Sequence, residues 1–209
     1  DFSRLRLAGG GGAAIIAAVS AKWQEITGQI IREGYGLSET SPVLTFNPIH
    51  VAEFSGTTGL PLPSTDIKLL DEEGREVAPG QPGEICAKGP QVMRGYWEKP
   101  EANAAAFTSD GYFRTGDVGV FDERGFLKIV DRIKELIITG GVNVAPTEGE
   151  NALRQHPQIV DAAVVGLPSA HSGEEVAAAI GVDGGVDVDV EAVRGFVRGI
   201  LTPFKGPPR

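Results

Sequence analysis

The spacing of apolar residues divides the chain into stretches of different texture. Near the start, Arg4-Leu5-Arg6-Leu7 alternates as a strand does, and the glycines Gly9-Gly10-Gly11-Gly12 follow. Ile15, Val19, Trp23 and Ile26 then recur at spacings of three and four, which predicts a helix with these side chains on one face. The apolar run Gln29-Ile30-Ile31 predicts a buried strand leading into Glu33-Gly34-Tyr35-Gly36-Leu37-Ser38-Glu39-Thr40. Residues 40–63, rich in Ser, Thr, Pro and Gly, read as loop.

From Asp66 to Val130 the texture is β. Asp66–Leu70 and Gly83–Lys88 are predicted strands, and Asp71-Glu72-Glu73-Gly74 a turn between them. Val118–Phe121 and Phe126–Val130 are predicted to form a hairpin around Asp122-Glu123-Arg124-Gly125. A short helix over Pro100–Phe107, with proline in its first turn, interrupts them. Beyond the charged cluster Asp131-Arg132-Ile133-Lys134-Glu135, α and β patterns alternate. The reading there is a strand over 134–138, a glycine loop over 139–144, a helix over 146–155, strands over 160–167 and 176–182, and a helix over 190–201. This places a domain boundary at Asp131. Residues 1–130 form a first domain, β-rich from about residue 52, and residues 131–209 form a small α+β domain.

Composition changes the picture in a few places. With 209 residues, 41% hydrophobic and 22% charged, the chain can bury a sizeable core and is ordinary for a globular protein. A formal charge of −9 argues against nucleic acid or an anionic membrane surface as the main partner. It leaves ATP open, because a few local cations and Mg²⁺ can outweigh the global field. The single cysteine, Cys86, excludes an internal disulfide framework and fits a reducing cytoplasm. It reads as a small apolar strand residue. The apolar stretch 7–21 is too short and too rich in Gly and Ala to span a membrane.

Candidate chemistry centres on Tyr35. Glycines on either side let the backbone approach a flat ligand and leave the ring exposed, and Ser38 and Glu39 follow at once. A nucleotide suits such a stretch, with base on the ring, phosphate on the hydroxyl and Mg²⁺ on the carboxylate. In Arg114-Thr115-Gly116-Asp117, an ionised carboxylate at a glycine turn can accept from two adjacent hydroxyls, as a ribose offers. The Gly9–Gly12 turn can present backbone N–H groups to a ligand. Ser55-Gly56-Thr57-Thr58-Gly59 imitates a phosphate loop but lacks the lysine that would follow, and it reads as structural. His50, His156 and His171 form no triad pattern.

Four of these segments recur in this order in the adenylate-forming enzymes: Gly10-Gly11-Gly12, Gly34-Tyr35-Gly36-Leu37-Ser38-Glu39, Arg114-Thr115-Gly116-Asp117 and Asp131-Arg132-Ile133-Lys134. Residues 83–93 followed by Gly95-Tyr96-Trp97 resemble the bacterial long-chain fatty acid–CoA ligases within that superfamily. The resemblance implies a mixed α/β and α+β fold: the distal part of an AMP-binding large domain, then a C-terminal lid. By resemblance, Gly12, Ala13, Tyr35 and Gly36 line the nucleotide pocket, and Ser38 meets the α-phosphate. Glu39 holds Mg²⁺, Asp117 binds the ribose hydroxyls and Arg132 supports them. Asp131 is the hinge, and Gly140 and Gly141 face the CoA arm.

The implied substrates are fatty acid, ATP and CoA, with no nucleic acid partner and no integral membrane segment. Peripheral membrane association of a full-length enzyme is compatible with this. The implied reaction is carboxylate adenylation followed by thioester formation. A domain that loads acyl groups onto a carrier protein, or a non-catalytic nucleotide-binding module, is the alternative. Neither the family's Pro-Lys-Gly phosphate loop nor its late catalytic lysine occurs in the sequence, and Lys205 matches a different turn. The expectation is therefore the later part of a longer enzyme, inactive alone, with uncovered sheet edges and apolar surface within 1–130. Smaller departures are Ala14, Ser38, Val142, Thr147 and Gly149.

Overall fold

The computed structural model describes residues 1–169, 171–184 and 188–201. Lys205 lies outside the described residues. The chain divides into two compact units, Asp1–Ile129 and Val130–Arg209.

The first unit opens with β1 (Ala8–Gly10), α1 (Ala17–Thr27) and β2 (Ile31–Gly36), with β1 parallel to β2. Helix α1 ends where Gly28, in the left-handed region, donates its N–H to the Gln24 carbonyl (2.8 Å). The first strand falls on glycines rather than on Arg4–Leu7. A glycine strand has no side-chain alternation to announce it, and β1 needs small residues. A Cβ on Gly10 would stand 2.5 Å from the Ile15 side chain, and one on Gly11 2.7 Å from the Gly34 carbonyl oxygen. Of the apolar residues of α1, Trp23 is half-buried beside Phe2, whereas Val19 and Ile26 are uncovered. Val19 is 55% and Ile26 59% exposed, and the buried residue of the helix is Ser20.

Strands β3 (Val43–Phe46) and β4 (Leu60–Pro61) complete a sheet of order β1-β2-β3-β4. Both lie inside the stretch read as loop, since each is too short to carry a period. The Ser55–Gly59 segment is structural, as expected: Thr58 donates its N–H to the Leu127 carbonyl (2.7 Å), and Leu127 returns one to Gly59 (2.8 Å). A second sheet has the order β5-β6-β7-β8, from β5 (Asp66–Leu70), β6 (Gly83–Lys88), β7 (Phe113–Phe121) and β8 (Leu127–Arg132). Helix α2 (Pro100–Ala106) precedes β7. Leu69, Ile85 and Leu127 form the core of this sheet, with Tyr35, Ile67, Val77, Phe121 and Ile129 packed against it.

Inside the first unit, the Glu33 carboxylate accepts from the Ile15 N–H (3.3 Å) and so ties the glycine turn to β2. Its other oxygen is buried without a partner among the described residues. Burial pushes this carboxyl above its ordinary range, and the Ile15 hydrogen bond opposes the shift.

The second unit holds β9 (Ile137–Thr139), β10 (Val142–Val144), α3 (Pro146–Leu153), β11 (Ile159–Ser169), β12 (Gly173–Val182) and α4 (Val190–Ile200). Its sheet has the order β10-β9-β12-β11. The expected glycine loop is a tight hairpin turn: Gly140 and Gly141, at φ 57° and 80°, join β9 to β10, as a two-residue turn with both central φ positive requires. One sheet face packs on α3 and α4 through Ile137, Val144, Leu153, Val164, Val176, Val193 and Val197. Gly149 has a packing reason, because a Cβ there would stand 3.1 Å from Val164 on β11. Helix α4 starts at Asp189, whose carboxylate accepts from the Glu191 and Ala192 N–H groups (2.9 and 3.3 Å).

Two stability measurements follow. Leu153, 3% exposed in the second core, should lose about 2–5 kcal/mol on Leu153→Ala in urea denaturation, whereas Leu167→Ala, at an outward position 52% exposed, should change it by less than about 0.5 kcal/mol. For Glu33, the folded state binds the proton more tightly than the unfolded one, so protonation favours folding. That contribution is full below about pH 4.3 and is lost as pH rises through the raised value. Glu33→Gln should therefore raise the urea midpoint at pH 8, and the gain should shrink toward zero as pH falls to about 4.

Candidate functional site

Tyr35 lies near the end of β2, where the register with β3 slips. Tyr35 pairs with Thr45 but Gly36 pairs with Val43, leaving Leu44 as the extra residue. The slip needs glycine at 36, because a Cβ there would stand 1.8 Å from the Pro42 carbonyl oxygen. The Tyr35 ring is half-buried against the core of the second sheet rather than left exposed. Glycine neighbours free the backbone, but the ring still finds the nearest apolar surface. Its hydroxyl donates to Asp117 Oδ2 at 2.6 Å, across 82 positions of sequence.

Asp117 is 5% exposed and sits within β7, not at the end of a turn between helix and hairpin. The glycine motif is a bulge inside one strand. Glu84 of β6 pairs with Val118 but Cys86 pairs with Arg114, so the intervening residues of β7 loop out. Gly116, at φ 74°, supplies the left-handed kink. The Asp117 N–H donates to Thr115 Oγ1 (3.1 Å), and the Thr115 hydroxyl donates to the Ile85 carbonyl (2.8 Å), so the bulge is fastened to β6.

Two further segments flank this pair. The glycine turn runs beside Gly34, as the close approach of Gly11 requires, and continues into Gly12 (φ 83°) and Ala13, both exposed. On the other side the chain enters a 3₁₀ turn over Ser38–Thr40. Buried Thr40 holds that turn: its Oγ1 accepts from the Leu37 N–H (2.9 Å) and its hydroxyl donates to the Leu37 carbonyl (3.1 Å). Ser38 is thereby exposed and Glu39 half-buried.

Glu39 has a partner that sequence reasoning did not assign. The Tyr96 hydroxyl donates to Glu39 Oε1 at 3.0 Å. Partial burial, and then the hydrogen bond to Glu39, push the Tyr96 phenol above its ordinary range. The available signal was the motif Gly95-Tyr96-Trp97, which spacing alone cannot connect to a residue 57 positions earlier. Among the described residues no three His, Cys, Asp or Glu side chains cluster as a metal cage. A single carboxylate with one oxygen already held fits Mg²⁺, which keeps several waters and takes its other ligands from nucleotide phosphates.

Asp131, Arg132, Gly140 and Gly141 belong to the second unit. Asp131 is 6% exposed; its Oδ1 accepts from the Arg132 N–H (2.9 Å) and its Oδ2 from the Thr147 N–H (3.0 Å) in the first turn of α3. Arg132, Gly140 and Gly141 are exposed. His156 packs edge-on against Phe196 (ring centroids 5.1 Å apart), a structural role. Cys86 is buried, with its thiol pushed up to about 12, chiefly by burial, which leaves it inert.

The sequence matches the AMP-binding enzyme family over residues 1–97 and the AMP-binding enzyme C-terminal domain over residues 148–209. It is 46% identical over 207 residues to a long-chain-fatty-acid–CoA ligase of Escherichia coli O6:H1, an alignment covering 99% of this chain and 36% of that protein. The chain thus spans about a third of the length of that relative. Among solved structures, ATP-bound MatB from Rhodopseudomonas palustris superposes with a TM-score of 0.90 at 40% identity, over 97% of this chain and 40% of that one. The o-succinylbenzoate CoA synthetase MenE of Bacillus subtilis, in complex with its acyl-adenylate OSB-AMP, gives 0.87 at 31% identity, over 99% of this chain and 42% of that one. No helix among the described residues is long and apolar enough to cross a membrane. Sequence and fold agree over almost the whole chain, and it belongs to the adenylate-forming superfamily of AMP-binding enzymes.

Proposed function

We propose that the chain forms the later part of an ATP-dependent fatty acid–CoA ligase, in which a fatty acid carboxylate attacks the α-phosphorus of ATP. Acyl-AMP forms and pyrophosphate leaves; the CoA thiol then attacks the acyl carbon and AMP departs. The observation that carries this reading is the Tyr35–Asp117 hydrogen bond, which joins an aromatic face to an acid buried in a strand bulge, beside a bare glycine turn. A nucleoside uses that combination, with base against the ring and turn and ribose hydroxyls toward the acid.

The remaining residues take roles around the bound nucleotide. Ser38, exposed at the start of the 3₁₀ turn, donates to the α-phosphate. Glu39 holds Mg²⁺, which supplies positive charge against the developing negative charge on the phosphates. Gly12, Ala13 and Gly36 give the adenine close backbone approach. In the second unit Arg132 supports the ribose, Asp131 serves as the pivot, and Gly140 and Gly141 present a side-chain-free turn to the pantetheine arm. The likeness to long-chain-fatty-acid–CoA ligases supports a fatty acid as the acid substrate and CoA as the acceptor.

The test is ATP–pyrophosphate exchange by the complete gene product with a panel of fatty acids, followed by CoA consumption. Exchange that depends on fatty acid and is followed by thioester formation supports the reading; exchange with transfer only to a carrier protein overturns the choice of acceptor. Within the site, Asp117→Ala should weaken AMP binding in calorimetry by about 1.5–3 kcal/mol, the size of a lost hydrogen bond to a charged group. Unchanged AMP affinity in that variant would remove Asp117 from the nucleotide site.

A further inference from the structure

Tyr96 lies on the segment between β6 and α2, far along the chain from Glu39, yet three sets of contacts hold it in place there. The Glu39 carbonyl accepts from the Met93 N–H at 2.8 Å, which pins the segment to the 3₁₀ turn. Gln91 fastens the same segment to the preceding strands, donating its Nε2 to the Val43 carbonyl (3.2 Å) and to Thr65 Oγ1 (2.7 Å). Asn103 of α2 then clamps the Tyr96 backbone on both sides: its Oδ1 accepts from the Tyr96 N–H (2.7 Å), and its Nδ2 donates to the Tyr96 carbonyl (2.9 Å). Gly95, at φ 146°, admits this approach, since a Cβ there would meet the Asn103 amide at 2.9 Å.

A tyrosine with its backbone held twice by one side chain is not a freely moving surface residue, although 38% of it is exposed. Its one polar atom reaches Glu39 Oε1 at 3.0 Å. A carboxylate has two oxygens and a rotatable stem, and a phenol fixed to one oxygen restricts where the other can point. We propose that Tyr96, oriented by Asn103, is a positioning residue for Glu39, holding one carboxylate oxygen so that the other is presented to a nucleotide-bound divalent cation. This rests on the assignment of Glu39 above. It adds a residue of a separate segment, and a clamp from α2, to the cation site.

The experiment measures metal dependence in the complete gene product, without turnover. Affinity for α,β-methylene-ATP is determined by calorimetry in EDTA and again in saturating Mg²⁺, and the ratio gives the metal-dependent gain. Tyr96→Phe should leave the EDTA affinity and the thermal midpoint unchanged. It should cut the gain by about three- to tenfold, the size of a partly solvated hydrogen bond to a carboxylate. Asn103→Ala should move the gain in the same direction by less, because it frees the clamp and keeps the phenol. Glu39→Gln should remove most of the gain.

If Glu39→Gln reduces the gain but Tyr96→Phe does not, the positioning role is wrong and the assignment of Glu39 stands. If Glu39→Gln leaves the gain intact, both fall. Equal weakening by Tyr96→Phe with and without Mg²⁺ would likewise overturn the proposal, by showing a general packing role.

Discussion

A hydrogen bond between a phenol and a buried carboxylate joins the two sheets of the first unit at the candidate site, alongside the backbone pairing of Gly59 with Leu127. Tyr35 belongs to the sheet built on the glycine strands and Asp117 to the sheet that follows. Asp117 is almost wholly removed from water, and a carboxylate in that position must be matched by donors or lose several kcal/mol. The Tyr35 hydroxyl is one such donor, and the ring beneath it fills space over Leu69, Ile85 and Leu127. Apolar packing brings the ring to this place; the hydroxyl then fixes which acid it meets. The bulge in β7 serves the same junction, since it lets Asp117 leave the regular ladder.

Glycine serves several distinct purposes around that junction. Gly36 makes room for a neighbouring carbonyl, Gly116 turns the strand through the left-handed region, and Gly11 allows two backbones to run side by side. A side chain at Gly36 or Gly11 would run into a neighbouring carbonyl, and one at Gly116 would be strained by the left-handed backbone. A site made largely of main chain accepts flat ligands closely, and its shape is set by strand register more than by rotamers.

Much of this was legible in the sequence, and the failures have physical causes. Strands β5 and β6 are bounded by turn residues and their predicted spans match the observed ones, and α4 carries a strong apolar period and a capping aspartate. Strand β1 could not be seen, because glycine has no side chain to alternate, and β3 and β4 were too brief to show a period. For α1 the spacing of Val19 and Ile26 predicts a helix with an apolar face, but spacing cannot say whether anything covers it: both side chains are exposed, and Ser20 is the buried residue. Tyr35 and Asp117 stood out by residue type and flanking glycines. Tyr96 did not, because its link to Glu39 depends on a clamp from α2 that no local pattern encodes. A glycine turn and the bulge at Thr115–Asp117 read alike in sequence, because left-handed glycine serves both.

The carboxylate of Asp131 carries a mechanical consequence. One of its oxygens holds the next backbone amide and the other holds an amide at the start of α3, so the aspartate and that helix are stapled into one piece. The start of α3 cannot shift away from residue 131 without releasing the Thr147 amide, and a change that removes the carboxylate would free both amides at once.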